Sequence, residues 1–293
     1  MDQQTWATEQ FEINRGHLRA VAYRMLGSLA EADDALQDSW LRVSRADTAD
    51  IENPRAWLTT IVARVCLNVL QSRKTRREEP LETHIPDPII SRPDGIDPEY
   101  EALLADSVGL AMLVVLETLP PPERLAFVLH DVFAVPFDDI APIVGRSSEA
   151  TRQLASRARR RVQGAPVPDT DMARQREVVD AFFTASRGGN FEALVAVLDP
   201  DVVLRSDGGA ARPGVSVVVR GAREVASRAL TFRQFSPFVR PAIVNGAAGV
   251  VVASTEETFS VIGFTVRGGR IVEIDALGDP ERLRQLDLTV LEG

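Results

Sequence analysis

Three stretches of this 293-residue chain group residue types that could bind a charged polymer or a protein surface. Trp57, Thr60, Arg64, Asn68 and Gln71 recur at helical spacing, and Arg73, Lys74, Arg76 and Arg77 follow with no acid among them. Aromatic rings contact unpaired bases, amides read base edges and cations hold phosphates, so this mixture suits single-stranded DNA. A solvated helix face beside a charged segment is the other reading of the same stripe. Between 146 and 161 the chain carries Arg146, Arg152, Arg157, Arg159, Arg160 and Arg161 against Glu149 alone. At about 100° per residue, Ala150, Leu154, Ala158 and Val162 would pack inward. Glu149, Arg152, Gln153, Ser156, Arg159 and Arg160 would then face out. Arginine can bind guanine bidentately and glutamine can read adenine; an arginine-rich solvent face is the alternative. Third, Asp34, Gln37, Asp38 and Leu41, beside Asp33, fall at i, i+3, i+4, i+7. That acidic face with one leucine could dock on a basic protein helix, or be solvated.

The elements that must carry these residues are legible from periodicity. Residues 11–75 read as three helices: Leu18, Val21, Ala22 and Met25 form one buried stripe, and Leu36, Trp40 and Val43 point inward in the next. Asn53-Pro54 supplies an N-cap and a first-turn proline, followed by the apolar face Leu58, Ile61, Val62, Val65 and Val69. Residues 78–105, rich in proline and acids, read as an extended linker with little core of its own. Helices are expected over 106–118, over 123–133 after Pro120-Pro121-Pro122, over 137–144 ended by Gly145, and from the Ser147/Ser148 cap to Val162. The last three match a helix-turn-helix. Residues 164–171 read as a second linker. Two helices, at 172–187 and 190–198, then precede antiparallel strands at 202–206, 249–254, 258–266 and 270–276, with turns at Asn245-Gly246 and Gly268-Gly269. This order indicates a separate α+β domain.

Bulk properties narrow the classes. The single Cys66 excludes an intrachain disulfide and a cysteine-rich zinc site, and three scattered histidines argue against a histidine metal site. No metal or other cofactor is expected. No run of apolar residues is long enough to span a membrane, and the polar N-terminus lacks a signal-peptide layout, so the expected compartment is the cytoplasm. The net charge of −9 opposes DNA binding by bulk electrostatics, but a binding face is local. Two basic stripes in an acidic body call for a partner that presents them to DNA.

Taken in order, these segments resemble the extracytoplasmic-function (ECF) sigma factors of bacterial RNA polymerase. Asp33-Asp34-Ala35-Leu36-Gln37-Asp38-Ser39-Trp40-Leu41-Arg42 looks like region 2.2. Asn53-Pro54-Arg55-Ala56-Trp57-Leu58 through Asn68 and Arg73 looks like regions 2.3 and 2.4. Leu119-Pro120-Pro121-Pro122-Glu123-Arg124 through Arg161 looks like region 4. The resemblance implies two all-α sigma domains, 1–77 and 106–163, joined by the 78–105 linker. A short 164–171 linker then leads to an α+β SnoaL-like, NTF2-like cone over 172–293. It implies that Asp34, Gln37, Asp38 and Leu41 contact the β′ clamp helices of core polymerase, with the β flap as a further partner. Trp57, Thr60, Arg64, Asn68, Arg73, Lys74, Arg76 and Arg77 would melt and read the promoter −10 element. Ser148, Glu149, Arg152, Gln153, Ser156, Arg157 and Arg160 would meet the −35 duplex. No bond chemistry and no membrane are implied, and a separate anti-sigma factor is compatible but not required.

A sigma core with such an extra domain resembles the ECF41 group. Asp207-Gly208-Gly209 resembles the start of that group's Asp-Gly-Gly-Gly-Lys motif, although Ala210 and Ala211 stand where glycine and lysine are expected. Gly278-Asp279-Pro280-Glu281-Arg282-Leu283 resembles its terminal Asn-Pro-Asp-Lys-Leu motif, and Ile85-Pro86-Asp87-Pro88 is all that answers to its linker motif. The resemblance implies regulation of the sigma core in cis, with Asp207, Gly208, Gly209, Asp279, Pro280 and Leu283 as regulatory residues. The Asp207 loop could hold the 80–100 linker; a plain loop after a strand is the other reading. Two other classes stay open. An enzyme could use Asp275 if it faces the cone, though this domain has no histidine or tyrosine to pair with it. A one-component DNA-binding regulator with a sensor domain would leave residues 11–77 unexplained.

Overall fold

The computed structural model describes residues 3–48, 51–75, 82–92, 109–254 and 257–288. Two compact bodies emerge. One comprises Met1–Glu79, Glu101–Asp106 and Val115–Gly164; the other Pro80–Tyr100, Ser107–Val114 and Ala165–Gly293.

The first body is helical. Helices α1 (Gln3–Leu26), α2 (Leu29–Val43) and α3 (Pro54–Thr75) pack on one another. Ser28 caps α2 by accepting from Glu31 N, and Asn53 Oδ1 accepts from Ala56 N at 3.1 Å to start α3. The stripe Leu18, Val21, Ala22 and Met25 is buried as its spacing predicts. So are Leu58, Val62 and Val65, whereas Ile61 and Val69 are half-buried. On α3 a second face is also buried: Thr59, Ala63, Cys66, Leu67 and Leu70. Helix α4 (Leu110–Glu117) begins in the second body and ends in the first, where α5 (Pro121–Phe127) and α6 (Phe137–Val144) follow. The expected continuous helix over 123–133 instead starts at Pro121, and its end, Val128–Val132, is wound as a π-helical turn. Both α5 and α6 pack on α3, which is why it has two buried faces. Arg24 and Arg124 lie in this core, with Arg124 Nε donating to the Arg24 carbonyl at 3.2 Å. Burial pushes the Arg124 pKa down to about 10. Gly145, at φ 65, turns the chain into α7 (Ser148–Val162), which Ser147 caps.

The second body is α+β. Helices α8 (Met172–Arg187), α9 (Phe191–Val197) and α10 (Ala222–Thr231) cover one face of a seven-stranded sheet of order β1-β4-β5-β6-β7-β2-β3. The strands are β1 (Ile90–Ser91), β2 (Leu198–Asp207), β3 (Val217–Arg220), β4 (Val239–Val244), β5 (Ala247–Ala253), β6 (Thr258–Arg267) and β7 (Arg270–Leu277). The sheet is mixed, not antiparallel throughout, because β2 runs parallel to β7. Asn245-Gly246 and Gly268-Gly269 make the tight β4–β5 and β6–β7 turns at positive φ. Between sheet and helices, Phe182, Phe183, Leu194, Val202, Val250, Phe264 and Ile274 form a filled apolar core.

Part of the expected linker belongs to this body. Ile85, Ile89 and Ile90 are buried, and β1 adds to the sheet edge by pairing with β4 (Ile90↔Val244, Ser91↔Ile243). Burying each isoleucine is worth about 2 kcal/mol, so the expectation of a segment with little core is corrected. Its prolines set an extended backbone, and its isoleucines supply the packing.

Candidate nucleic-acid interface and linker contacts

Helix α7 offers the expected outward set, but its buried stripe is turned by one residue. Thr151, Ala155, Ala158 and Val162 are buried, whereas Ala150 and Leu154 are only half-buried. Thr151 fits inside because its hydroxyl donates to the Ser147 carbonyl at 2.9 Å. Glu149, Arg152, Gln153, Ser156, Arg157 and Arg160 remain exposed. Arg152 lies 5.4 Å from the Phe137 ring centroid, which braces its guanidinium. Ser148 donates to Asp138 Oδ1 at 2.5 Å. Arg157 and Arg161 both pair with Glu123, at 3.3 and 2.9 Å, and Arg159 pairs with Asp131 at 2.5 Å. The acids of the preceding helices therefore hold part of the basic face, while Arg160 stays exposed.

On α3, Arg64, Asn68 and Gln71 are exposed and Trp57 and Thr60 half-buried along one side. Thr60 returns its hydroxyl to the Ala56 carbonyl at 3.0 Å. Arg73 turns back instead, donating to the Leu26 carbonyl at 3.4 Å and pairing with Glu31. The side chain of Lys74, and Arg76 and Arg77 altogether, lie outside the described residues.

Helix α2 presents Asp34, Gln37, Asp38 and Leu41, all exposed, on one face. Its neighbour Asp33 is held by both arms of Arg19, at 2.8 and 3.0 Å. Asp34 and Asp38 thus form the outward acidic pair, and Asp33 belongs to the packing of α1 on α2.

The second body brings both altered motifs onto residues 82–92. Asp207 Oδ2 accepts from Ile85 N at 3.2 Å and from Arg282 Nη1 at 2.9 Å, and His84 Nδ1 lies 3.4 Å from it. Asp207 Oδ1 accepts from Gly209 N at 3.1 Å. Arg282 also donates to Asp87 Oδ1 at 2.9 and 2.5 Å and to the Ile85 carbonyl at 2.5 Å. Asn245 repeats the arrangement further on, exchanging bonds with Ile89 through Oδ1 and N at 3.0 and 2.9 Å. Burial pushes the Asp207 carboxyl up, but bonds from His84, Gly209 N and Ile85 N and the charge of Arg282 outweigh it and hold its pKa low.

Backbone geometry explains the glycines. Gly209 sits at φ +61, and a Cβ there would overlap the Asp279 carboxylate; one on Gly208 would overlap the Arg212 carbonyl. Asp279 caps the short helix α11 (Pro280–Leu283), with Pro280 at its first position and Leu283 buried beneath. That cap aims Arg282 at Asp207. With alanines at 210 and 211, the nearest cation is Arg212, which pairs with Glu257 at 2.9 Å and reaches the Gly278 carbonyl at 3.5 Å. Arg282 and Asp87 enter the sequence expectations only as motif residues and Asn245 only as a turn residue, and His84 carries no signal there. Arg282 stands where the terminal motif expects a lysine, the one available signal.

Asp275 faces away from the aromatic core. Its neighbour Ile274 lies in that core, and successive strand residues alternate faces. It accepts from Arg205 Nη1 at 3.2 Å, and the same guanidinium pairs with Glu273.

Comparison with known proteins agrees with this geometry. The model for Sigma-70 region 2 matches residues 11–77, and that for Sigma-70, region 4 matches residues 110–162. The ECF RNA polymerase sigma factor SigJ of Mycobacterium tuberculosis is 38% identical over 93% of this chain and 92% of its own. A protein of the same species named "Probable ECF RNA polymerase sigma factor SigI" is 34% identical over 98% of both chains. The crystal structure of M. tuberculosis SigJ superimposes with a TM-score of 0.79 at 34% identity, covering 96% of this chain and 99% of that one. Similarity of this extent, across the helical regions and the added α+β body alike, makes the chain a member of the ECF RNA polymerase sigma factors.

Proposed function

We propose that this sigma factor docks on core polymerase through the α2 face Asp34, Gln37, Asp38 and Leu41. The β′ clamp helices would receive that face, and the β flap would receive the region carrying α7. The α3 stripe, Trp57, Thr60, Arg64 and Asn68, then captures unstacked −10 bases, with Arg73, Lys74, Arg76 and Arg77 near the phosphates. Arg152, Gln153, Ser156 and Arg160, with Ser148, Glu149 and Arg157, read the −35 duplex. The domains read as 1–77 and 106–163 for promoter recognition and 172–293 for control, joined by 78–105 and 164–171.

The protein carries out no bond chemistry in this reading. Support comes from the C-terminal interior, which Phe182, Phe183 and Phe264 fill, and from Asp275 lying outside it. Control in cis acts through Asp207, Gly208, Gly209, Asp279, Pro280 and Leu283, which set Asp207 and Arg282 against residues 84–87 and so limit the reach of the linker. No separate anti-sigma factor is required. The protein would work in the cytoplasm beside the polymerase; among the described residues no helix is long and apolar enough to cross a membrane.

The observation that carries this reading is the coexistence in one chain of the acidic α2 face and two exposed nucleic-acid faces. Asp34→Ala with Asp38→Ala tests it. These exposed changes should leave folding intact, lower affinity for core polymerase about tenfold or more and abolish promoter-specific transcription. Unchanged core binding, with DNA binding kept, would point to a one-component regulator.

A further inference from the structure

Exposed large apolar side chains are scattered among the described residues except at one place. Ile13, Leu41 and Val167 stand singly, but Phe232 and Phe238, 41% and 39% exposed, flank the 3₁₀ turn Arg233–Phe238 before β4. The two are joined by a row of rings. Phe232 to Phe235 is 6.3 Å between centroids, Phe235 to Phe259 is 5.4 Å, and Phe259 to Phe238 is 5.8 Å. Phe235 and Phe259 pack on the core beneath, so the outer rings stand on a rigid base.

Three arginines lie near them in the chain, in a stretch bounded by Glu224 and Glu256. Arg228 holds its guanidinium 5.2 Å from the Phe232 centroid, and Arg233 and Arg240 are exposed. From Val225 to Thr255 the chain carries these three arginines and no acid, in a protein of net charge −9. An anionic partner with flat apolar groups complements such a surface. The adjoining sheet edge disfavours a peptide strand. Among the described residues β1 covers only Ile243 and Val244 of β4, and Pro241 on the open part has no N–H to offer. A duplex keeps its bases stacked and away from the rings. Unpaired bases can lie on phenylalanine while arginines take the phosphates.

We propose that the surface formed by Phe232, Phe235 and Phe238 with Arg228, Arg233 and Arg240 binds single-stranded DNA. The choice of DNA over RNA rests on the sigma reading above, because an opened promoter presents unpaired DNA to such a protein. The site lies outside both matched sigma regions and is separate from the α3 stripe.

The test uses the full chain in an Arg64→Ala/Asn68→Ala background, so that binding by α3 is removed. The probe is an oligothymidylate of about 12 nucleotides, within the usual span of one site, followed by fluorescence anisotropy. The background protein should still bind it. Phe232→Ala with Phe238→Ala should weaken binding about tenfold or more, and tryptophan at both positions should restore it. Arg233→Gln with Arg240→Gln should weaken it too, and lower the salt slope by about 0.7 per arginine. The proposal is overturned if the background does not bind, if the alanine pair binds as its parent does, or if an oligouridylate or a duplex of equal length binds as tightly. Core-polymerase binding, measured on the same proteins, is unaffected by this surface, so failure of the sigma reading would be seen separately.

Discussion

A buried ion pair gains little unless its remaining valences are met, and the second body contains one site of each kind. Around Asp207 the valences are met: Arg282 faces Asp207 and Asp87, and the backbone N–H groups of Ile85 and Gly209 complete the shell. At Asp275 it is Arg205 that opposes burial, with no backbone donor beside it among the described residues, and the same guanidinium also serves Glu273. Burial therefore dominates at Asp275 and, against the pull of Arg205, raises its pKa to about 6. The unfolded value is about 3.9, so the folded state binds this proton more tightly and gains stability as pH falls from 7 towards 4. The depressed Asp207 works in the opposite direction, but only below about pH 4, where its contribution is lost. Between pH 7 and 5 the Asp275 effect should stand alone of the two. Urea unfolding of the native chain should gain about 1 kcal/mol over that interval relative to Asp275→Asn. An equal pH response in the two proteins would place the proton elsewhere.

At the level of elements, periodicity located the helices but not always their buried sides. The spacing Ala150, Leu154, Ala158, Val162 and the observed Thr151, Ala155, Ala158, Val162 differ by one residue over half the helix. A hydrophobic pattern omits a threonine, yet Thr151 satisfies its own hydroxyl against Ser147. The second buried side of α3 was hidden for a related reason: Thr59, Ala63 and Cys66 look neutral in a hydrophobic pattern, and only the packing of α5 and α6 selects them. The parallel β2–β7 pair had no local signal, because direction depends on where the chain re-enters the sheet. The tight turns and caps were legible, since their chemistry is local. The stripe on α7 can be tested directly. Ala155 is fully buried, so Ala155→Leu should cost about 1–3 kcal/mol, while Ala150→Leu should cost less than about 1 kcal/mol. Chemical unfolding of the two variants measures the difference; equal costs would favour the stripe expected from the sequence.

For the whole molecule, the acidic net charge and the path of the chain matter most. The positive faces are local, so core polymerase rather than long-range attraction must bring them to the promoter. The chain also enters the second body at Pro80–Tyr100 and Ser107–Val114 before it returns to form the helix-turn-helix. The second body thus includes part of the connection between the two matched sigma regions, which no composition-based linker boundary reveals. Truncation after Gln163 would remove the sheet under Ile85, Ile89 and Ile90 and expose them, so it should lower solubility as well as change transcription. Arg282→Ala is the cleaner change, because it cuts the bonds to Asp87, Asp207 and Ile85 while leaving the sheet in place. If those bonds limit the reach of the linker, Arg282→Ala should speed amide exchange at Ile85 and Ile89 and leave core affinity unchanged. Promoters with a −10 to −35 spacing one base pair shorter or longer than the optimum should then gain transcription relative to the optimal promoter. An unchanged spacing profile, despite faster exchange, would mean that the contacts stabilise the fold without governing how far apart the two readers can stand.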